Sequence, residues 1–155
     1  MKYDLVIFDL DGTLMDTSKS ITKTVNSAME ELGKKQYSID ECVKFVGGGV
    51  SGLARNILGK EKYEDVTNEE MEKVIRKYYD IYFDYGVEPY EGIPELLDFL
   101  EQNGIKKGIV TNKDHETALS AVDKKLSKWK FDGIFGSNEK EYPNKPNPYN
   151  VDKMA

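Results

Sequence analysis

The chain has 155 residues, 32% of them charged, a formal net charge of −6 and one cysteine, Cys42. That length bounds it to one domain, with room for an insertion. The acidic balance argues against non-specific nucleic-acid binding, which needs a basic surface, and a lone cysteine excludes both an intrachain disulfide and a thiolate metal site.

The first apolar run, Leu5 to Phe8, predicts a strand buried on both faces, as in a parallel sheet covered by helices. Asp4 and Asp9 bracket this run, so it does not read as a signal peptide. No apolar stretch approaches the length of a membrane span. A reducing compartment, the cytoplasm, is the expected location. From Asp16 to Ser18 the chain offers helix caps, and Ile21, Val25, Ala28, Met29 and Leu32 recur at helical spacing up to Gly33. Ser38-Ile39-Asp40-Glu41 reads as a capping box opening a short helix to about Phe45. Gly47-Gly48-Gly49 predicts a loop, Ser51 caps a third helix, and Gly59 ends it. A second capping box, Thr67-Asn68-Glu69-Glu70, opens a helix carrying Met71, Val74, Ile75, Tyr78, Tyr82 and Tyr85 on one stripe.

After residue 86 the pattern changes. A Pro/Gly-punctuated connection leads to a helix beginning near Pro94 and stopped by Gly104. Lys107 to Val110 predicts a second buried strand, His115 to Leu126 a polar helix, and Phe131 to Phe135 a third strand. The stiff loop from Tyr142 to Pro148 precedes a last helix. Strand, helical insert, helix, strand, helix, strand is an α/β plan: a parallel three-layer α/β/α sheet of about three strands with an all-helical insertion after the first. The core spans residues 1–16 and 87–155, and the insertion spans 17–86.

The strand ends would bring together Asp9 and Asp11, then Thr111 and Asn112, then Lys145. Asp11-Gly12 is equally a tight-turn signal, and on its own that pair of aspartates reads as turn formers just as well. Set against a phosphate monoester, the same residues allow a definite chemistry. Asp9 can attack phosphorus, which splits hydrolysis into two easier displacements. Asp11 can protonate the leaving alkoxide and then deprotonate water. Mg²⁺, held by Asp9 and Asp11 with phosphate oxygens and waters, would relieve repulsion between the anions. The Thr111 hydroxyl, N–H groups near Gly12 and Asn112, and the Lys145 ammonium would stabilise the transferring phosphoryl group.

Phe8-Asp9-Leu10-Asp11-Gly12-Thr13-Leu14, Ile109-Val110-Thr111-Asn112-Lys113 and Asn144-Lys145-Pro146-Asn147-Pro148 together resemble the motifs of the haloacid dehalogenase superfamily, in its phosphoglycolate phosphatase-like branch. The resemblance implies a Mg²⁺-dependent phosphatase in which Asp9 is nucleophile and metal ligand. It implies that Asp11 is acid/base and lends its backbone carbonyl to the metal, and that Thr111 and Lys145 bind phosphate. Residues 17–86 are similar to the family's helical cap. Within it, Gly48 and Gly49 with Arg55 are the candidate specificity loop, a plain interhelical turn with a surface arginine being the alternative.

The family's fourth motif, an acidic pair after a further strand, has no counterpart after Lys145. The resemblance is therefore to a C-terminally truncated member whose first strand is left as a bare edge, inviting self-association or a complementing chain. The expected partner is a small phosphorylated metabolite, with no nucleic acid and no membrane. Two other readings stand beside the phosphatase. One is a weakly active or inactive remnant that binds phosphate or a partner, and the other is a phosphosugar mutase of the same superfamily.

Overall fold

The structure is a computed structural model that describes residues 3–155. In chain order its elements are β1 (Leu5–Phe8), β2 (Met15–Asp16), α1 (Ser18–Glu31), α2 (Ile39–Lys44), α3 (Gly49–Glu61) and α4 (Asn68–Tyr82). Then come β3 (Glu88–Pro89), α5 (Ile93–Gln102), β4 (Lys106–Asp114), α6 (His115–Leu126), β5 (Gly133–Ser137) and α7 (Tyr149–Met154). They fall into two compact units: one runs through Asp16 and resumes at Glu88, and the other is Thr17–Val87.

The first unit is α/β. Its sheet has the order β1-β4-β5, and both pairings are parallel. Phe8 lies opposite Ile109, and Ile109 opposite Ile134. Leu97 and Leu100 of α5, Ile109 and Val110 of β4, and Ala118, Val122 and Leu126 of α6 are buried, as the apolar pattern requires. The residues of β1 are only half-buried, which corrects the expectation of burial on both faces. Among the described residues β1 is the edge strand, with β4 as its one neighbour. Asp132 closes the entry to β5: its carboxylate accepts the Lys107 N–H at 2.9 Å, and its own N–H donates to the Lys107 carbonyl at 2.7 Å. Met154 of α7 fills the space that side chains would take at Gly108 and Gly133, which face each other across β4 and β5. The β2–β3 ribbon, absent from the sequence reading, pairs Met15 with Pro89 and Asp16 with Glu88. The two chain segments that lead to the other unit therefore leave side by side.

The second unit is all-helical, and its core gathers Ile21, Val25, Met29, Phe45, Leu53, Ile57, Met71 and Ile75, among others. Both predicted capping boxes form. Ser38 and Glu41 exchange backbone–side-chain bonds at 3.0 and 3.3 Å, and Thr67 and Glu70 do so at 2.8 and 3.2 Å. α3 differs from the expectation at both ends. Gly48, in the left-handed region, is its N-cap, and Lys62 ends it, so Gly59 lies inside the helix and Ser51 within its first turn.

Candidate active site

Parallel pairing places the carboxyl ends of β1, β4 and β5 along one edge of the sheet, the usual ligand edge of open α/β sheets. Asp9 follows β1 directly. The chain does not stay extended beyond it. The Leu10 carbonyl accepts from the N–H groups of Thr13, Leu14 and Met15 at 3.3, 3.0 and 3.0 Å, coiling the backbone into a tight loop. Gly12, at φ +77°, makes that coil accessible without Cβ strain. Leu10, Leu14 and Met15 are fully buried and pin the loop from below.

The loop leaves both carboxylates facing lysines from the same edge. Asp9 Oδ1 accepts the Leu10 N–H at 2.8 Å and the Lys145 Nζ at 3.0 Å. Its other oxygen has no hydrogen-bond partner among the described residues, and its side chain is 42% exposed. That combination, an oriented carboxylate with one open oxygen, is what an attacking nucleophile needs. Both Asp11 oxygens accept from Lys113 Nζ, at 3.2 and 3.3 Å.

The end of β4 supplies the rest. Its pairing with β5 is irregular between Val110 and Asp114, so residues 111–113 leave the ladder where chemistry is concentrated. The buried Thr111 accepts the Lys113 N–H on Oγ1 at 3.2 Å, which leaves its hydroxyl proton to donate. Asn112 turns the other way. Its Oδ1 accepts the Lys145 N–H at 2.9 Å, and its Nδ2 donates to the Lys145 carbonyl at 3.1 Å. His115, at the start of α6, accepts the Gly136 N–H on Nδ1 at 3.2 Å. It ties β5 to α6 and is half-buried rather than a free surface residue.

The structure thus brings together Asp9, Asp11, Thr111, Asn112 and Lys145, and it shows which of their groups are already engaged. The Gly12 N–H donates to the Met15 carbonyl at 2.9 Å, so Gly12 shapes the loop and its amide is not offered to phosphate. The Asp11 N–H has no acceptor among the described residues and is the open amide instead. The Asn112 side chain is engaged by the Lys145 backbone. The residue missed by sequence reasoning is Lys113. The alternation that puts Thr111 at the site puts Lys113 there too, two residues on.

As for a metal, the described residues hold no cluster of three or more His, Cys, Asp or Glu side chains. Asp9 keeps one carboxylate oxygen open, while Lys113 occupies both Asp11 carboxylate oxygens and leaves Asp11 its backbone carbonyl to offer. This suits Mg²⁺, which takes one or two carboxylates plus phosphate oxygens and water.

Gly48, Gly49 and Arg55 belong to the all-helical unit. The Arg55 side chain returns over the start of its own helix: a Cβ on Gly48 would lie 3.5 Å from an Arg55 guanidinium nitrogen. A Cβ on Gly52 would overlap the Gly47 carbonyl oxygen, so the glycine loop folds tightly onto α3. Arg55 is exposed and makes no ion pair among the described residues.

The chain is similar to known proteins. The chain is 36% identical over 134 residues to a phosphoglycolate phosphatase of Aquifex aeolicus, covering 86% of this chain and 61% of that protein. It is 31% identical over 153 residues to the pyrophosphatase PpaX of Halalkalibacterium halodurans, covering 99% of this chain and 68% of that one. The crystal structure of a predicted phosphoglycolate phosphatase from Haemophilus somnus superposes with a TM-score of 0.86 at 22% identity, over 99% of this chain and 71% of its own, a likeness of fold. The chain therefore spans less than two thirds of the Aquifex protein's length. The family model of haloacid dehalogenase-like hydrolases matches residues 6–155, and the chain belongs to that family.

Proposed function

We propose that the chain carries the nucleophile, acid/base and phosphate-binding groups of a Mg²⁺-dependent phosphatase acting on a small phosphate monoester. The observation that carries this reading is Asp9: one oxygen fixed by Leu10 and Lys145, the other open at the ligand edge of the sheet. The names of the two relatives support phosphate ester or anhydride hydrolysis.

In the first step the open oxygen of Asp9 attacks phosphorus, the bond from phosphorus to the leaving oxygen breaks, and Asp11 gives that oxygen a proton. In the second step Asp11 takes a proton from water, the water oxygen bonds to phosphorus, and the acyl phosphate bond breaks to return Asp9. The sum is ester plus water to alcohol plus phosphate. Lys145, the Thr111 hydroxyl and the Asp11 N–H hold negative charge on the phosphoryl oxygens as it redistributes. Mg²⁺, held by Asp9 and Asp11, would supply charge neutralisation between the nucleophile and the phosphoryl group. Within the helical unit, Arg55, beside the Gly48–Gly49 loop and without an ion pair among the described residues, is the candidate contact for an anionic substrate. The half-buried β1 edge is the place where a second copy or a complementing chain would add a strand.

Trapping tests this reading. An aryl phosphate has a leaving group good enough to depart without Asp11, so Asp11→Asn should still form the acyl phosphate and hydrolyse it slowly. Acid-quenched Asp11→Asn protein should carry a hydroxylamine-labile phosphoryl label on the Asp9 peptide. An unlabelled Asp9 peptide in an otherwise active protein would contradict the mechanism.

A further inference from the structure

Lys113 is a charged side chain with almost no water contact, since only 2% of it is exposed. A buried ammonium is tolerated only where good acceptors compensate its desolvation. Here the acceptors include both oxygens of Asp11, which is 102 positions away in the sequence. The pair differs in kind from Lys77–Glu31 or Lys60–Glu41 elsewhere in the chain, where both side chains are well exposed. An exposed pair can break and re-form with little consequence. Lys113 cannot swing away from Asp11 without giving up both of these carboxylate acceptors.

Three further features hold Lys113 in place. Its N–H bonds to Thr111 Oγ1 at 3.2 Å, which fixes the backbone of the segment that leaves the β4–β5 ladder. A Cβ on Gly136 of β5 would sit 2.8 Å from the Lys113 carbonyl oxygen, so β5 closes against this residue from the other side. Finally, Asn112 next door is fastened to the Lys145 backbone. Adjacent residues of β4 thereby control the two carboxylates separately. Asn112 acts on Asp9 through Lys145, and Lys113 acts on Asp11 directly.

We infer that Lys113 is the positioning residue of the acid/base, a buried clamp that fixes the Asp11 carboxylate at the end of the sheet and balances its charge there. The inference rests on the phosphatase reading, because it gives Asp11 a task that depends on orientation. With Asp9 and Lys145 already paired, the two carboxylates and two ammonium groups cancel. Removing Lys113 would leave Asp11 free to rotate and the site with one uncompensated negative charge, while Asp9 keeps both of its donors. Proton transfer depends steeply on placement, so the loss should fall on turnover rather than on binding.

The test is a double-mutant cycle on p-nitrophenyl phosphate hydrolysis with Mg²⁺, using wild type, Lys113→Met, Asp11→Asn and the double variant. Methionine preserves most of the stem's volume in the slot, and Lys113→Gln serves as a second variant should the methionine protein fail to fold by circular dichroism. Lys113→Met should lower kcat by about 100-fold with KM close to the wild-type value. The double variant should be no slower than Asp11→Asn alone, because both changes disable one group. An unchanged kcat in Lys113→Met, or losses that multiply in the double variant, would overturn the inference while leaving the phosphatase reading intact. Absence of turnover in the wild type overturns that reading, and the positioning role falls with it.

Discussion

Asn112 and Lys145 hold each other through a reciprocal pair of hydrogen bonds, the side-chain amide of one closing on the backbone N–H and carbonyl of the other at 2.9 and 3.1 Å. The two residues lie 33 positions apart, and this pair fastens the loop of Lys145 to the end of β4. Lys145 reaches Asp9 from there at 3.0 Å. Asn112→Ala removes both bonds and lets the loop drift, and displacements of about 1 Å at a reacting centre cost on the order of 100-fold in rate. We expect Asn112→Ala to lose most of its turnover with little change in melting temperature, as judged by phosphate release and circular dichroism. A fully active Asn112→Ala protein would show that the loop is held by other means.

Two glycines of α3 should respond to alanine in opposite directions. At Gly52 a Cβ would overlap the Gly47 carbonyl oxygen, and such overpacking typically costs about 1–3 kcal/mol. At Gly59 nothing lies within 4 Å of the added carbon and the residue is inside the helix, where alanine is favoured by about 1 kcal/mol. Chemical denaturation of Gly52→Ala and Gly59→Ala measures both. The same sign of change in the two variants would contradict the packing described here.

Acid should weaken the helical unit. Ser38 and Thr67 donate their backbone N–H groups to Glu41 and Glu70 and hold both carboxyls below the ordinary range. Lys34 does the same for Asp65, and Lys77 for Glu31. A carboxyl depressed in the folded state contributes stability that is complete above its unfolded pKa. That contribution is lost as pH falls through the folded value. The melting temperature should therefore decline below about pH 4.5, and less steeply in a Glu41→Gln, Glu70→Gln variant. An identical decline in that variant would remove the capping boxes from the explanation.

The β1 edge makes a prediction about association. Leu5–Phe8 is half-buried with one strand neighbour, and Leu96 and Phe99 of α5 are exposed at 39% and 51%. Unpaired apolar edges recruit further strands. Light scattering should report dimers or larger species at micromolar concentration, and a monodisperse monomer with a sharp melt would contradict this.

What was legible in the sequence was local. The capping boxes at Ser38 and Thr67 and the helix His115–Leu126 are written in adjacent residues, and they form where the pattern puts them. The apolar run Leu5–Phe8 announced a strand but not its place at the edge, which depends on its neighbours. The start of α3 departs from the sequence pattern because Gly48 caps it through left-handed backbone rather than through a side chain, and Ser51 bonds to Glu72 instead. The two-residue ribbon of β2 and β3 is too short to leave a periodic signal. In the site, the residue types at Asp9, Asp11, Thr111 and Lys145 were readable. Their wiring was not, because the Lys113–Asp11 and Asn112–Lys145 contacts join distant segments. The loop after Asp9 hid a further exchange, since the amide of Gly12 is spent on Met15 while that of Asp11 is open.

The most direct measurement of the central claim is phosphate release from p-nitrophenyl phosphate by the wild-type chain and by Asp9→Asn, with and without Mg²⁺. The account predicts turnover by the wild type that depends on Mg²⁺ and falls to background in Asp9→Asn. Turnover that survives in Asp9→Asn, or a wild-type chain no faster than buffer, would contradict it.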